Sequence, residues 1–163
     1  MSKSVDHTYA DMMVESLRKK KSILSKLYSN TEEQEELLKS DDMNVDRFTE
    51  ITEEKGKRID ELNDLDSGFD NLYRKLEQEL TVNRGAYHNE IEEMKSLINE
   101  ITDLSTKIQV VEKRNYERFQ NYMKGEREKL KVANASQQTA MSYAKNMSGS
   151  HKPGNSYFVN ETK

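Results

Sequence analysis

Three histidines, His7, His88 and His151, are the first side chains that could do chemistry, and they stand far apart in the chain. A zinc site needs ligands that converge, and helical proteins supply them from spacings such as HExxH or Glu-x-x-His. Neither spacing occurs here, so the three are read as solvated surface groups. The absence of cysteine removes thiolate catalysis and disulfides together. Carboxylates are plentiful, but they sit on helical faces beside Lys and Arg, where they add solubility and i,i+4 support. No GxGxxG, GxxxxGK[ST] or GxSxG run is present. These residues point to no enzyme, no cofactor and no metal.

The side chains that remain suit recognition of another protein. Tyr116, Phe119, Tyr122, Met123, Leu130 and Val132 make an apolar surface in which the methionine can adapt to imperfect packing. Farther on, Ala140, Tyr143, Ala144 and Met147 share a face if that segment is helical. Tyr157, Phe158 and Val159 form an isolated triad close to the end, in a Ser/Asn/Gly-rich setting. Arg18-Lys19-Lys20-Lys21 is a basic cluster, but consecutive helical residues point in four directions. Ordinary exposed charge is its plain reading, with a partner or membrane surface as the alternative. Residues 31–80 hold 17 acidic and 7 basic side chains, whereas residues 112–131 hold 4 and 7. Such opposite fields could help to pair the helices or could meet a charged partner. A net charge of −4 gives no general reason to bind nucleic acid. The acceptor patterns at Asn134, Asn146 and Asn160 lie in an Asn/Ser-rich stretch and are read as chance.

The elements that must position these groups are helices. Apolar residues make up 33% of the chain and charged residues 34%, too little apolar material for a thick core but enough for narrow seams between long helices. The single proline, Pro153, leaves most of the chain free for uninterrupted helix. A first helix is predicted from about Val5 to Lys39, with Tyr9, Met13, Leu17, Leu24, Leu27 and Leu38 on its stripe. Lys20, Thr31 and Gln34 interrupt that stripe. SDDMN at 40–44 reads as a turn, with Asn44 or Asp42 capping the next helix. The second helix carries Phe48, Thr52, Lys55, Ile59, Leu62, Phe69, Tyr73, Leu76 and Leu80 and skips a seam position at Asp66. Gly68, in LDSGF, reads as a point of close approach, a bend or a shallow notch. A C-cap or short connection is expected around Asn83-Arg84-Gly85. The third helix is predicted from Tyr87 to beyond Leu130, about 45 residues and ~70 Å long. It would outrun its neighbours, of ~50 Å each, and leave its stripe from Tyr116 to Leu130 uncovered. The fold class is therefore all-α, an elongated antiparallel bundle of three long helices with coiled-coil-like packing. Residues 1–133 form the bundle domain, and 134–163 form a flexible tail that could order on a partner. No signal peptide and no run of about 20 apolar residues is visible, so a cytoplasmic protein without membrane insertion is expected.

The order of these features resembles the FlgN-type flagellar export chaperones. The likeness rests on an early leucine helix ending in TEEQEELLKSDD, then FTEITEEKGKRIDELNDLDSGFDNLYRKL, a long third helix with ITDLSTKIQVVEKRN, and a loose tail closing in SYFVNETK. The resemblance implies a cytoplasmic type III flagellar export chaperone. Such a protein binds the C-terminal helical segment of the hook-associated, or hook–filament junction, proteins, keeps them from assembling early and delivers them to the export gate. Its C-terminal part would do the binding, which matches the third helix beyond Tyr116 and the segment around Tyr143 and Met147. The triad Tyr157, Phe158 and Val159 would correspond to a docking tail for the gate or another partner. A self-associating coiled-coil scaffold or adaptor is the competing reading, and a homodimer stays open on either.

Overall fold

The computed structural model describes residues 8–125, 138–143 and 145. Three long helices follow one another: α1, Thr8–Lys39; α2, Val45–Asn83; and α3, His88–Gly125. A 3-10 turn, Arg84–Tyr87, joins α2 to α3. There is no strand among the described residues.

Local chemistry explains the boundaries. Asn44 is the cap of α2: its side chain accepts the Arg47 N–H at 3.1 Å, and its carbonyl accepts the Phe48 N–H at 3.0 Å. The first bond satisfies a donor that a helix start leaves without an intrahelical partner, and the second is the opening bond of the helix itself. Asp42, the other candidate, lies in the turn, where its N–H meets the Ser40 hydroxyl at 3.3 Å. No described glycine has positive φ, so Gly85 acts within a short 3-10 connection and not as a left-handed cap. Gly68 lies inside an uninterrupted α2, and a Cβ built there would meet nothing within 4 Å. The close-approach reading of Gly68 therefore gives way to a helix surface open at that point.

Cross-helix bonds fix the topology. Lys20 reaches Asp66 at 2.6 Å while Asn30 reaches Glu54 at 3.2 Å, so α1 and α2 run antiparallel. Phe48 stacks on Phe119, and Lys55 pairs with Glu112, so α2 and α3 are antiparallel as well. It follows that α1 and α3 are parallel, as the bonds from Arg18 to Glu93 and from Asn115 to the Thr31 carbonyl require. The backbone of α1 approaches both partners more closely than they approach each other, so α1 is the central helix.

The core is divided along its length. The larger apolar cluster runs from Ala10 to Leu27 on α1, from Leu62 to Leu80 on α2 and from Tyr87 to Ile108 across the turn and α3. A smaller one, built on Met43, Phe48 and Phe119, sits at the end where α1 turns into α2. Between them lie buried polar side chains: Thr31, Gln34, Thr52, Lys55, Glu112 and Asn115. Within the stretch read from sequence as a tail, residues 138–143 are helical, and Ala140 is buried.

Candidate functional site

The end of α3 brings together the nearer half of the expected protein-binding surface. Tyr116, Tyr122 and Met123 are half-buried. Phe119 is 0% exposed and stacks on Phe48 with ring centroids 5.2 Å apart and planes 14° from parallel. Leu37, Leu38 and Val45 close around the pair, with Tyr122 and Met123 against the same cluster. The predicted bare stripe from Tyr116 onward is thus corrected for Phe119, which belongs to the core. The cause is the register. With Lys55 opposite Glu112, the start of α2 at Val45 lies level with Tyr122, so α2 accompanies α3 almost to Gly125. What stays accessible is a rim of half-buried aromatic and methionine side chains around a small filled pocket.

A polar layer underlies this rim. Lys55 and Glu112 are each 1% exposed and form an ion pair. The Lys55 ammonium also donates to Gln34 Oε1 at 2.8 Å, and Gln34 Nε2 donates to Thr52 Oγ1 at 2.9 Å. Thr31 Oγ1 lies 2.9 Å from Glu112 Oε1, and Asn115 Nδ2 donates to the Thr31 carbonyl at 3.0 Å. Burial pushes the Lys55 ammonium below its ordinary pKa, and the Glu112 carboxylate opposes that shift. The interruptions of the α1 stripe thus face the polar seam positions of α2 and α3. Sequence reasoning saw the gaps but missed Glu112 and Asn115 as their partners. The available signal was a lysine on the α2 seam with seam positions missing after Ile108 on α3.

Ion pairs tie the helices along their flanks. Arg18 reaches Glu93, Lys20 reaches Asp66 and Lys21 reaches Glu100. Because consecutive helical residues point in several directions, Arg18, Lys20 and Lys21 of the basic cluster clasp both neighbours. Near the other end, Arg114 Nε and Arg118 Nη1 donate to Glu35 at 2.8 and 2.9 Å. The Arg114 hydrogen bond holds the Glu35 carboxyl below the usual range, helped by Arg118 and opposed by burial. Arg47 does the same for Glu33, which it meets at 2.7 Å.

Tyr143 is separate from the α3 rim. It packs against the larger cluster, and its phenol pKa is pushed up by burial and then by the charge of Asp66. Its hydroxyl is buried and finds no hydrogen-bond partner among the described residues. Leu130, Val132, Met147, Tyr157, Phe158 and Val159 lie outside the described residues.

Two surface clefts near the 3-10 turn are lined mainly by polar and charged side chains, Asp70, Arg74, Glu77, Gln78 and Arg84 among them. Binding pockets for small molecules are mostly apolar and concave. No group of three or more His, Asp or Glu suited to a metal ion occurs among the described residues. None of their helices is long and apolar enough to cross a membrane.

No curated protein and no solved structure matches the chain. A family model described as FlgN protein matches residues 9–150, which spans all three helices and the segment that carries Ala140 and Tyr143. That is most of the molecule, and the bundle of three long helices is consistent with it: the chain belongs to the FlgN family of flagellar export chaperones.

Proposed function

We propose that this chaperone acts in the cytoplasm on hook–filament junction proteins, binding their C-terminal helical segment and delivering them to the export gate. The observation that carries this reading is the half-buried row Tyr116, Tyr122 and Met123 at the end of α3, in a chain of this family. An amphipathic segment that has not yet assembled needs an apolar rim on which to lay its own stripe. Half-buried aromatics supply contact area, and Met123 adapts to an imperfect fit. By residue type, Leu130, Val132 and Met147 offer the segment further apolar contacts along the chain. Ordering the segment on binding consumes part of the interaction energy, which favours an affinity compatible with release. The triad Tyr157, Phe158 and Val159 serves as a docking element for the gate, because it is apolar and set apart from the helical seams by Ser, Gly and Pro.

Co-purification tests the reading. The chain should bring down a hook-associated protein, and a version lacking its last ~40 residues, a length that would make roughly 60 Å of helix, should not bind. Undiminished binding of the shortened protein would refute the proposed segment. Replacing Tyr157 and Phe158 with Ala should leave Tm unchanged and reduce export.

A further inference from the structure

Residues 138–143 are helical and lie against the chain's own bundle. Tyr143 packs against the larger apolar cluster, and Ala140, three positions before it, is 6% exposed. The charge of Asp66, whose carboxylate is engaged by Lys20 at 2.6 Å, is felt at the Tyr143 phenol. Half-buried Phe69 and Leu72 pack against the same cluster. The fit is imperfect at one atom. The Tyr143 hydroxyl is taken out of water and accepted by no group among the described residues, which costs docking free energy that a side chain without a hydroxyl would not lose.

The register places this seat relative to the rim on α3. With Lys55 opposite Glu112 and Phe48 opposite Phe119, Asp66 lies level with Ile101. From that level to Phe119 is ~27 Å along the bundle, within the span of a helix of about 20 residues.

We propose that residues 138–143 are an intramolecular stand-in, holding a seat that a helix of the exported protein takes over. The occupant that fits is an amphipathic helix with a small residue where Ala140 sits and, three positions on, Phe, Leu or Met in place of Tyr143. This rests on the chaperone reading above and adds that binding is a competition with the chain's own segment. The bundle keeps its seat covered until the helix of the exported protein displaces the chain's own segment.

The test uses the full chain in three forms: unchanged, Ala140→Glu and Tyr143→Phe. The probe is a fluorescent peptide made from the C-terminal segment of a hook-associated protein, and anisotropy reads its Kd. Ala140→Glu expels the segment and should tighten probe binding about tenfold. Tyr143→Phe removes the unpartnered hydroxyl and should weaken it severalfold. A second peptide, residues 134–149 of this chain, should bind the Ala140→Glu form saturably and compete with the probe. Equal Kd values across the three forms, or weaker binding to Ala140→Glu, would overturn the seat while leaving the chaperone reading intact. If the probe binds none of them, the chaperone reading fails and the second peptide decides: saturable binding to Ala140→Glu supports the seat, and none overturns it.

Discussion

Lys55 is a charged side chain at the centre of a narrow core, with Glu112 as its counter-ion and Gln34 as its second acceptor. Removing two charges from water is expensive, and their mutual attraction often does no more than offset the loss. A use consistent with that balance is specificity of register. The three helices repeat apolar residues at similar spacing, so apolar packing alone tolerates a slip by one turn. Such a slip would set Lys55 against Ile108 or Tyr116 and leave Glu112 buried without a cation. Lys55→Met alone should therefore cost about 3–5 kcal/mol in urea denaturation, because Glu112 loses its counter-ion. Lys55→Met combined with Glu112→Leu should recover most or all of that loss. A double variant as unstable as the single one would show that the remaining amides and hydroxyls, not the charges, hold the layer.

At the scale of the element, the helices were legible where their causes are local. Asn44 declares its cap by residue type, and the turn at 40–44 follows from the Ser, Asp and Asn there. The positions of Lys20, Thr31, Gln34 and Asp66 were legible as breaks in a stripe. Their partners were not, because Lys20–Asp66 and Thr31–Glu112 join residues 46 and 81 apart, and no local pattern encodes that register. Phe119 was misjudged for a related reason: nothing near it in sequence announces that Met43 and Phe48 will arrive to cover it. Tyr143 was legible as an interacting aromatic, but its seat on the bundle depends on distant α2. The glycines of α2 yield a prediction. Gly56 and Gly68 lie inside the helix with nothing within 4 Å of a built Cβ. Gly56→Ala and Gly68→Ala should each stabilise the bundle by about 0.5–1 kcal/mol, measured by urea denaturation. A loss of stability at either site would mean that the helix bends there in solution.

The whole molecule is fastened by charges as well as by its seam. Hydrogen bonds from Arg114 to Glu35, from Arg47 to Glu33 and from Lys21 to Glu100 each hold a carboxyl below its ordinary pKa. A depressed folded-state pKa contributes stability that is present above the unfolded carboxylate value, near 4.3, and is lost as pH falls through the folded one. Stability should accordingly decline below about pH 5 and continue to fall toward pH 3. Glu35→Gln should be less stable at neutral pH and show a shallower decline, since Glu35 is the most buried of the three. Glu33 and Glu100 are far more exposed, and solvent screens their share. An unchanged acid profile in Glu35→Gln would remove the α1–α3 clasp from this account.

The central position of α1 has a consequence for how the molecule comes into being. Its hydrogen bonds to α3 join residues 75 to 84 apart, whereas its bonds to α2 join residues 14 to 46 apart. Synthesis proceeds from the N-terminus at about 5–20 residues per second, so α1 waits ~4–16 s for the helix that covers its second face. In that interval α1 and α2 can close as a hairpin, with the side of α1 destined for α3 still open. The nascent chain thus passes through the same predicament, an amphipathic helix lacking its neighbour, as the segments it is proposed to shelter once it is complete.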